Sequence, residues 1–311
     1  MNSQPHMITG AYVDLDGLIS FRHRKLKSKT PARSRTRMAG GHRKSRMRGR
    51  GMDFAEVRLY QAGDDVRTID WRVSARKAKT HTKVFEEERE RPTLILCDQT
   101  QSMFFGSTSR LKSVAAAEAS AVLAWHALNL GNRVGGIVLD NDNINAVRPR
   151  RSTRTLVRYL NLICNANQNL HRDSLTNESE TRFTNALIQL KKTAHNGHQI
   201  FIVSDFSAPF ELWKPHVLAL KRHNDVALIL ISDPLEAQLP PSNLYAITDG
   251  KSRSYLDTSD KNLRQKYADR FRLFEENLES FCMTYGMHYT KLSTAKSAED
   301  SLAAHLINYS G

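Results

Sequence analysis

Thr93-Leu-Ile-Leu-Cys-Asp-Gln-Thr-Gln-Ser102 joins an apolar run to a set of oxygen-bearing side chains. Thr93 to Cys97 is a short apolar run of the kind that forms a buried strand. It runs directly into Asp98, Thr100 and Ser102, a carboxylate and two hydroxyls at alternate positions. Set at the carboxyl end of a strand, these side chains form a cup of hard oxygen donors. Such donors suit Mg2+ or Mn2+ better than softer metals.

Downstream of the cup the pattern alternates between strand and helix. Leu111 to Leu130 is Ala-rich with apolar spacing of three and four, and Gly131 closes it as a helix cap. Arg133 to Leu139 reads as a second strand. Ser152 to Cys164 reads as a helix with Ser152 at its N-cap, and Thr184 to Thr193 as another. Gln199 to Val203 and Val226 to Ile231 are continuous apolar strands, with a helix over Glu211 to His223 between them. Uninterrupted apolar strands separated by helices predict an α/β fold, a parallel sheet covered on both faces. Ligands of such sheets bind beyond the carboxyl ends of the strands.

That rule extends the cup. Asp205 follows the Ile200-Phe-Ile-Val203 strand and emerges on the same edge as Asp98. Thr184 begins a helix on that side and offers a third hydroxyl. Asp98, Thr100, Ser102, Thr184 and Asp205 together leave room for water in an octahedral shell. The plainer alternative makes the two aspartates loop caps and Thr184 a helix N-cap.

Farther along, Leu244 to Ile247 and Arg253 to Leu256 read as a hairpin around Asp249-Gly250. Lys261 to Tyr285 reads as a long amphipathic helix whose stripe of Leu263, Tyr267, Phe271, Phe274, Leu278 and Phe281 is expected to face the core. Met287 to Leu292 and Ala298 to Ile307 follow as a strand and a final helix.

Upstream, residues 51–92 mix apolar and charged side chains and are expected to fold as a small β-rich subdomain. Val57-Arg-Leu59 alternates as a strand does, and Gly63-Asp64-Asp65 is a turn. Asp64, Asp65, Arg67, Asp70, Arg72 and Arg76 are expected to form a structural ion-pair network. A metal or catalytic role for these aspartates is the weaker reading, because arginines interleave them and no histidine adjoins. Residues 1–50 are expected to be a flexible basic arm. Between Arg22 and Arg50 stand thirteen Lys or Arg and no acid, nearly the whole of the chain's net charge of +14. Residues 22–50 could meet nucleic acid, an anionic membrane surface or an acidic protein. The lack of aromatic residues there argues against stacking on single strands.

The 311 residues suffice for one large or two modest domains. No apolar run approaches the roughly 20 residues of a membrane helix, and the first twenty residues do not resemble a signal peptide. Cys97, Cys164 and Cys282 are far apart and odd in number, as expected of packed thiols in a reducing, cytoplasmic compartment.

Asp98-x-Thr-x-Ser102 with Thr184 and Asp205 resembles the metal-ion-dependent adhesion site of von Willebrand factor A domains, with Thr100 where Ser is usual. Gly49-Arg-Gly-Met-Asp-Phe-Ala-Glu-Val-Arg58, Gly63-Asp-Asp-Val-Arg-Thr-Ile-Asp-Trp71, Ser74-Ala-Arg76 and Lys83 to Glu88 resemble the hallmark of the family called domain of unknown function 58. Ser102-Met-Phe-Phe-Gly106, Asp233-Pro-Leu-Glu236 and Leu239-Pro240 are also similar to its pattern. The resemblance spans about residues 40–290. It implies a von Willebrand factor A-like Rossmannoid domain over residues 93–311, with a C-terminal extension and a small, mainly β insertion before it. It also implies a MoxR-type AAA+ ATPase as partner, with client proteins to remodel or assemble. The metal then acts as a contact completed by a partner's carboxylate. Two other readings remain: a Mg2+-dependent hydrolase using Asp98, and a nucleic-acid binder using the arm. The Asp-x-Asp pair of haloacid-dehalogenase-type phosphatases is lacking, and no phosphate loop or Ser-His-Asp setting is recognisable.

Overall fold

The computed structural model describes residues 7–24, 52–61, 63–87, 91–171, 179–248 and 253–306. The chain divides into two compact units, residues 32–90 and the remainder. The N-terminal segment corrects one expectation. Residues 7–24 are no free arm: they carry a short helix, α1 (Leu15–Ile19), capped by Asp14 through the amide of Gly17. Val13, Leu18 and Phe21 are buried in the α/β core. The basic composition of residues 22–50 masked these apolar residues just ahead of it. Residues 25–50, expected to be flexible, lie outside the described residues.

In the smaller unit, β1 (Met52–Leu59) pairs antiparallel with β2 (His81–Glu87). Between them is a helix not foreseen in the sequence, α2 (Trp71–Lys77). Asp70 caps it by accepting the amides of Arg72 and Val73. Asp64 pairs with Arg58 at 2.7 Å, and Asp65 accepts the amide of Arg67. The aspartates thus hold turns and helix starts, and the ion partners of Asp64 and Asp70 include Arg58 and Lys83, which lie outside the expected network.

The larger unit is built on one six-stranded sheet. Its strands are β3 (Thr93–Asp98), β4 (Val134–Leu139), β5 (Ile144–Arg150), β6 (Gln199–Ser204), β7 (Asp225–Ser232) and β10 (His288–Ser293), in the spatial order β10-β7-β6-β3-β4-β5. All neighbours are parallel except β5, which returns antiparallel along β4. This edge strand was not expected. Pro149 and the charges of Arg148 and Arg150 break its apolar run, and proline is tolerated there because the strand is at an edge. β8 (Leu244–Thr248) and β9 (Arg253–Asp257) pair antiparallel apart from the sheet, as expected, and the Asp249-Gly250 turn lies outside the described residues.

The helices lie in two layers. α3 (Lys112–Asn129), α4 (Thr153–Gln168) and α9 (Ala298–Leu306) cover one face; α5 (Ser179–Thr193), α6 (Phe210–Lys221) and α8 (Lys261–Thr284) cover the other. A four-residue helix, α7 (Pro234–Ala237), follows β7. Ile95 and Cys97 face the first layer, Leu94 and Leu96 the second, so β3 is apolar throughout because both of its faces are covered. α3 is buried almost all round, since α1, α4 and α9 flank it as well as the sheet. Its small alanines permit that closeness. Gly136 on β4 leaves space that Tyr159 fills, with the phenol donating to the carbonyl of Ile95 at 3.0 Å. All three cysteines are buried and unpaired.

α8 corrects a second expectation. Leu278 and Phe281 are buried, but Leu263 and Tyr267 on the same stripe are exposed. Among the described residues no helix is long and apolar enough to cross a membrane.

Candidate metal centre

The order of the sheet fixes where a ligand belongs. The chain winds outward from β3 to β4 and β5, then crosses back to β6, β7 and β10 on the other side. The winding therefore reverses between β3 and β6, and the crevice at their carboxyl ends is the binding position of doubly wound sheets. Asp98 is the last residue of β3, and Asp205 follows the last residue of β6.

Asp98 is held from both sides. Its Oδ1 accepts the Thr100 amide at 3.0 Å and the Thr100 hydroxyl at 2.7 Å. Its Oδ2 accepts the hydroxyl of Ser204 at 2.6 Å. Burial, and then the charge of Asp205, push its pKa up to about 6, against the pull of these hydrogen bonds. Thr100 Oγ1 and Ser102 Oγ stand 3.3 Å apart.

Asp205 has different partners. Its Oδ1 accepts the Ser207 amide at 3.0 Å, and its Oδ2 accepts a proton of the Lys112 ammonium at 2.8 Å. Burial works against its charge, but Lys112 outweighs it and holds the pKa below the ordinary carboxylate value. Lys112 also donates to Glu236 at 2.6 Å. Burial disfavours the ammonium, yet the two carboxylates prevail and its pKa is raised. Glu236 in turn closes the capping box of α7 by accepting the amide of Asp233. Asp233 accepts from Ser107 and from Thr294, which ties the loop after the cup to the ends of β7 and β10.

Of the expected residues, Asp98, Thr100 and Ser102 form one hydrogen-bonded group, and Ser204 links it to the strand end carrying Asp205. Thr184 is placed differently. α5 begins at Ser179, so Thr184 lies in its second turn, half-buried, and is not the helix N-cap. Its neighbour Phe183 packs edge-on against Phe206, which sets this part of α5 beside the loop of Asp205. Ser204, Lys112 and Glu236 were missed. Ser204 adjoins Asp205 and its hydroxyl was a readable signal. Lys112 looks like a surface residue opening a helix, and Glu236 like an ordinary cap.

The donors fit a hard divalent cation. Oδ1 of Asp98 takes two hydrogen bonds and Oδ2 one, which leaves an Oδ2 lone pair. The hydroxyl separation approaches the about 2.9 Å edge of an octahedron with Mg–O bonds of about 2.0–2.1 Å. Among the described residues no three His, Cys, Asp or Glu gather as a metal-holding group, so a cation here relies on hydroxyls as well as carboxylates.

Beside the cup lies a cavity of ≈ 840 Å³ with Asp205 and Glu236 on its wall. Phe210, Trp213, Tyr267, Phe271, Phe274 and Phe281 supply its apolar lining. Tyr267 thus faces a groove in the place where core packing was expected.

Comparison with known proteins places the chain. Its residues 56–276 match the family model described as protein of unknown function DUF58. An uncharacterised protein of Mycobacterium bovis is 28% identical over 225 residues, 71% of this chain and 68% of that protein. A Mycobacterium tuberculosis protein matches to the same extent. Among solved structures, the conserved hypothetical protein BatB from Bacteroides thetaiotaomicron aligns with a TM-score of 0.44 at 12% identity, covering 70% of this chain and 98% of that one. A von Willebrand factor type A structure from Catenulispora acidiphila aligns with a TM-score of 0.33 at 16% identity, over 49% of this chain and 35% of that one. With its family model matched over most of its length, the chain belongs to the DUF58 family.

Proposed function

We propose that this protein is a metal-dependent protein–protein interaction module. Asp98, Thr100, Ser102 and Asp205, with Thr184 from α5, would hold Mg2+ or Mn2+, and a carboxylate of the partner would complete the shell. The bound cation supplies positive charge to which an acidic side chain attaches. The observation that carries this reading is the Ser204–Asp98 hydrogen bond, which joins the ends of β3 and β6 at the reversal of winding. The apolar cavity beside Asp205 favours a protein partner, because it offers space for side chains next to the charged contact. Following the family resemblance, the partner is a MoxR-type AAA+ ATPase in the cytoplasm, and the module recruits clients to it. In this reading the cup performs no catalysis.

Calorimetry with Mg2+ and Mn2+ on the wild type, Asp98→Ala and Ser102→Ala tests the metal. Saturable binding in the wild type and its loss in both variants is the expected result; binding that persists in both would place the ion elsewhere. Capture of a purified MoxR-type ATPase in Mg2+ but not in chelator tests the partner. Equal capture in both conditions would remove the metal from the interaction.

A further inference from the structure

Lys112 is a charged group at the cup that the metal reading does not use. Its side chain is 3% exposed, and that of Asp205 5%. The ammonium sits between two carboxylates, Asp205 at 2.8 Å and Glu236 at 2.6 Å, with the ring of Phe105 5.9 Å away. Water cannot take over its hydration at that depth, so the charge stays only where acceptors are provided. Glu236 is the more accessible of the two, its side chain 27% exposed. Two carboxylates, Asp205 and Glu236, thus face one lysine. The lysine occupies an oxygen of Asp205 that a divalent ion would also claim.

We propose that Lys112 sets the cation affinity of the cup by competing with the divalent ion for Asp205, with Glu236 retaining the ammonium when the ion binds. This rests on the metal reading above. In the metal-free protein Lys112 neutralises Asp205 and keeps β6 and the start of α3 together. Binding of the ion transfers the lysine's main attachment to Glu236, the residue that caps α7 and leads through Asp233 to Ser107 and Thr294. Cation occupancy is thereby coupled to the ends of β7 and β10.

Competition makes two substitutions act in opposite directions. Lys112→Met removes the competitor, and Mg2+ binding tightens by about tenfold or more, the usual effect of one close charge on another. Glu236→Gln removes the alternative seat, holds the ammonium on Asp205, and weakens Mg2+ binding several-fold. A purely structural lysine would weaken binding in both variants. The test is calorimetry with Mg2+ on the full chain, wild type and both variants. It is joined by NMR of the 15N-labelled Lys112 ammonium during a Mg2+ titration of wild type and Asp98→Asn. The Lys112 signal is expected to shift with Mg2+ in the wild type and to stay fixed in Asp98→Asn. Should Lys112→Met not fold, Glu236→Gln and the NMR titration retain the test. If Mg2+ saturates the wild type while the Lys112 signal does not move, or Lys112→Met binds more weakly, the competition is refuted and the metal centre stands. If no folded variant and no wild type binds Mg2+ or Mn2+, the metal reading itself falls, and the competition with it.

Discussion

The hydroxyl of Ser204 donates to Oδ2 of Asp98 at 2.6 Å, across the line where the sheet reverses its winding. One side chain thereby fixes the carboxylate of a neighbouring strand. Ser204→Ala is expected to lower the stability of the metal-free protein by about 1–3 kcal/mol, since a buried charge loses a hydrogen bond. Urea unfolding measures it, and an unchanged midpoint would contradict the role given to Ser204.

Asp98 also predicts a pH dependence. Its folded pKa, about 6, lies above the ordinary value, so between pH 4 and 6 the folded chain holds a proton that the unfolded chain has released. Its contribution to stability is full below that window and is lost as pH rises through it, by at most about 1.4 kcal/mol per pH unit. Asp98→Asn removes this term. The difference in unfolding free energy between variant and wild type, measured in chelator, is expected to grow in favour of the variant from pH 4 to 6 and then level off.

Thr100 separates shape from ligand chemistry. Thr100→Val keeps the volume but deletes the hydroxyl that bonds Asp98 and stands beside Ser102. It is expected to weaken Mg2+ binding by about tenfold or more, whereas Thr100→Ser, which keeps the hydroxyl, stays within about threefold of the wild type. Calorimetry on the pair decides; equal loss in both would point to packing of the methyl group.

Arg110 and Glu118 meet at 2.6 Å with neither side chain exposed. Glu118 also accepts the amides of Ile8 and Ala298, and Arg110 donates to the carbonyls of Thr294 and Lys296. Glu118→Ala strands the guanidinium and is expected to cost about 3–5 kcal/mol by denaturant unfolding. Replacing both residues with apolar ones is expected to recover part of that loss, because the desolvation of the pair disappears too.

The two ends of the α8 stripe are expected to differ. Leu278→Ala, in the core, should destabilise by about 2–5 kcal/mol. Leu263→Ala, 38% exposed, should change stability by no more than about 0.5 kcal/mol. Similar losses at both positions, read from thermal unfolding, would restore the view of the stripe as continuous core.

The parallel strands and the cup were legible because their signals are local. Uninterrupted apolar runs mark strands covered on both faces, and the Asp98-x-Thr-x-Ser102 spacing sits within one strand end. What failed was nonlocal. Phe21 became core only through partners over 90 residues away, including the α3 helix it packs against. Lys112 and Glu118, ordinary charges on an Ala-rich helix, gained their meaning from Asp205 and Ala298. Thr184 was misplaced because Ser179, Thr181 and Thr184 are all capping residue types, and the helix start was read at the last of them. The β5 strand was hidden by Pro149, which only its edge position permits.

The three attachments of Glu118 bear on the order in which the molecule can be made. Translation delivers Ile8, Arg110 and Glu118 early, but the amide of Ala298 comes 180 residues after the carboxylate it satisfies. Until then α3 lacks α9, and the wall that Ala298 and Leu302 cover remains open to solvent. A ribosome-bound chain ending before β10 therefore exposes an apolar surface beside a half-satisfied buried charge, a species inclined to aggregate or to recruit chaperones. Contacts of such sequence separation also slow the final step of folding.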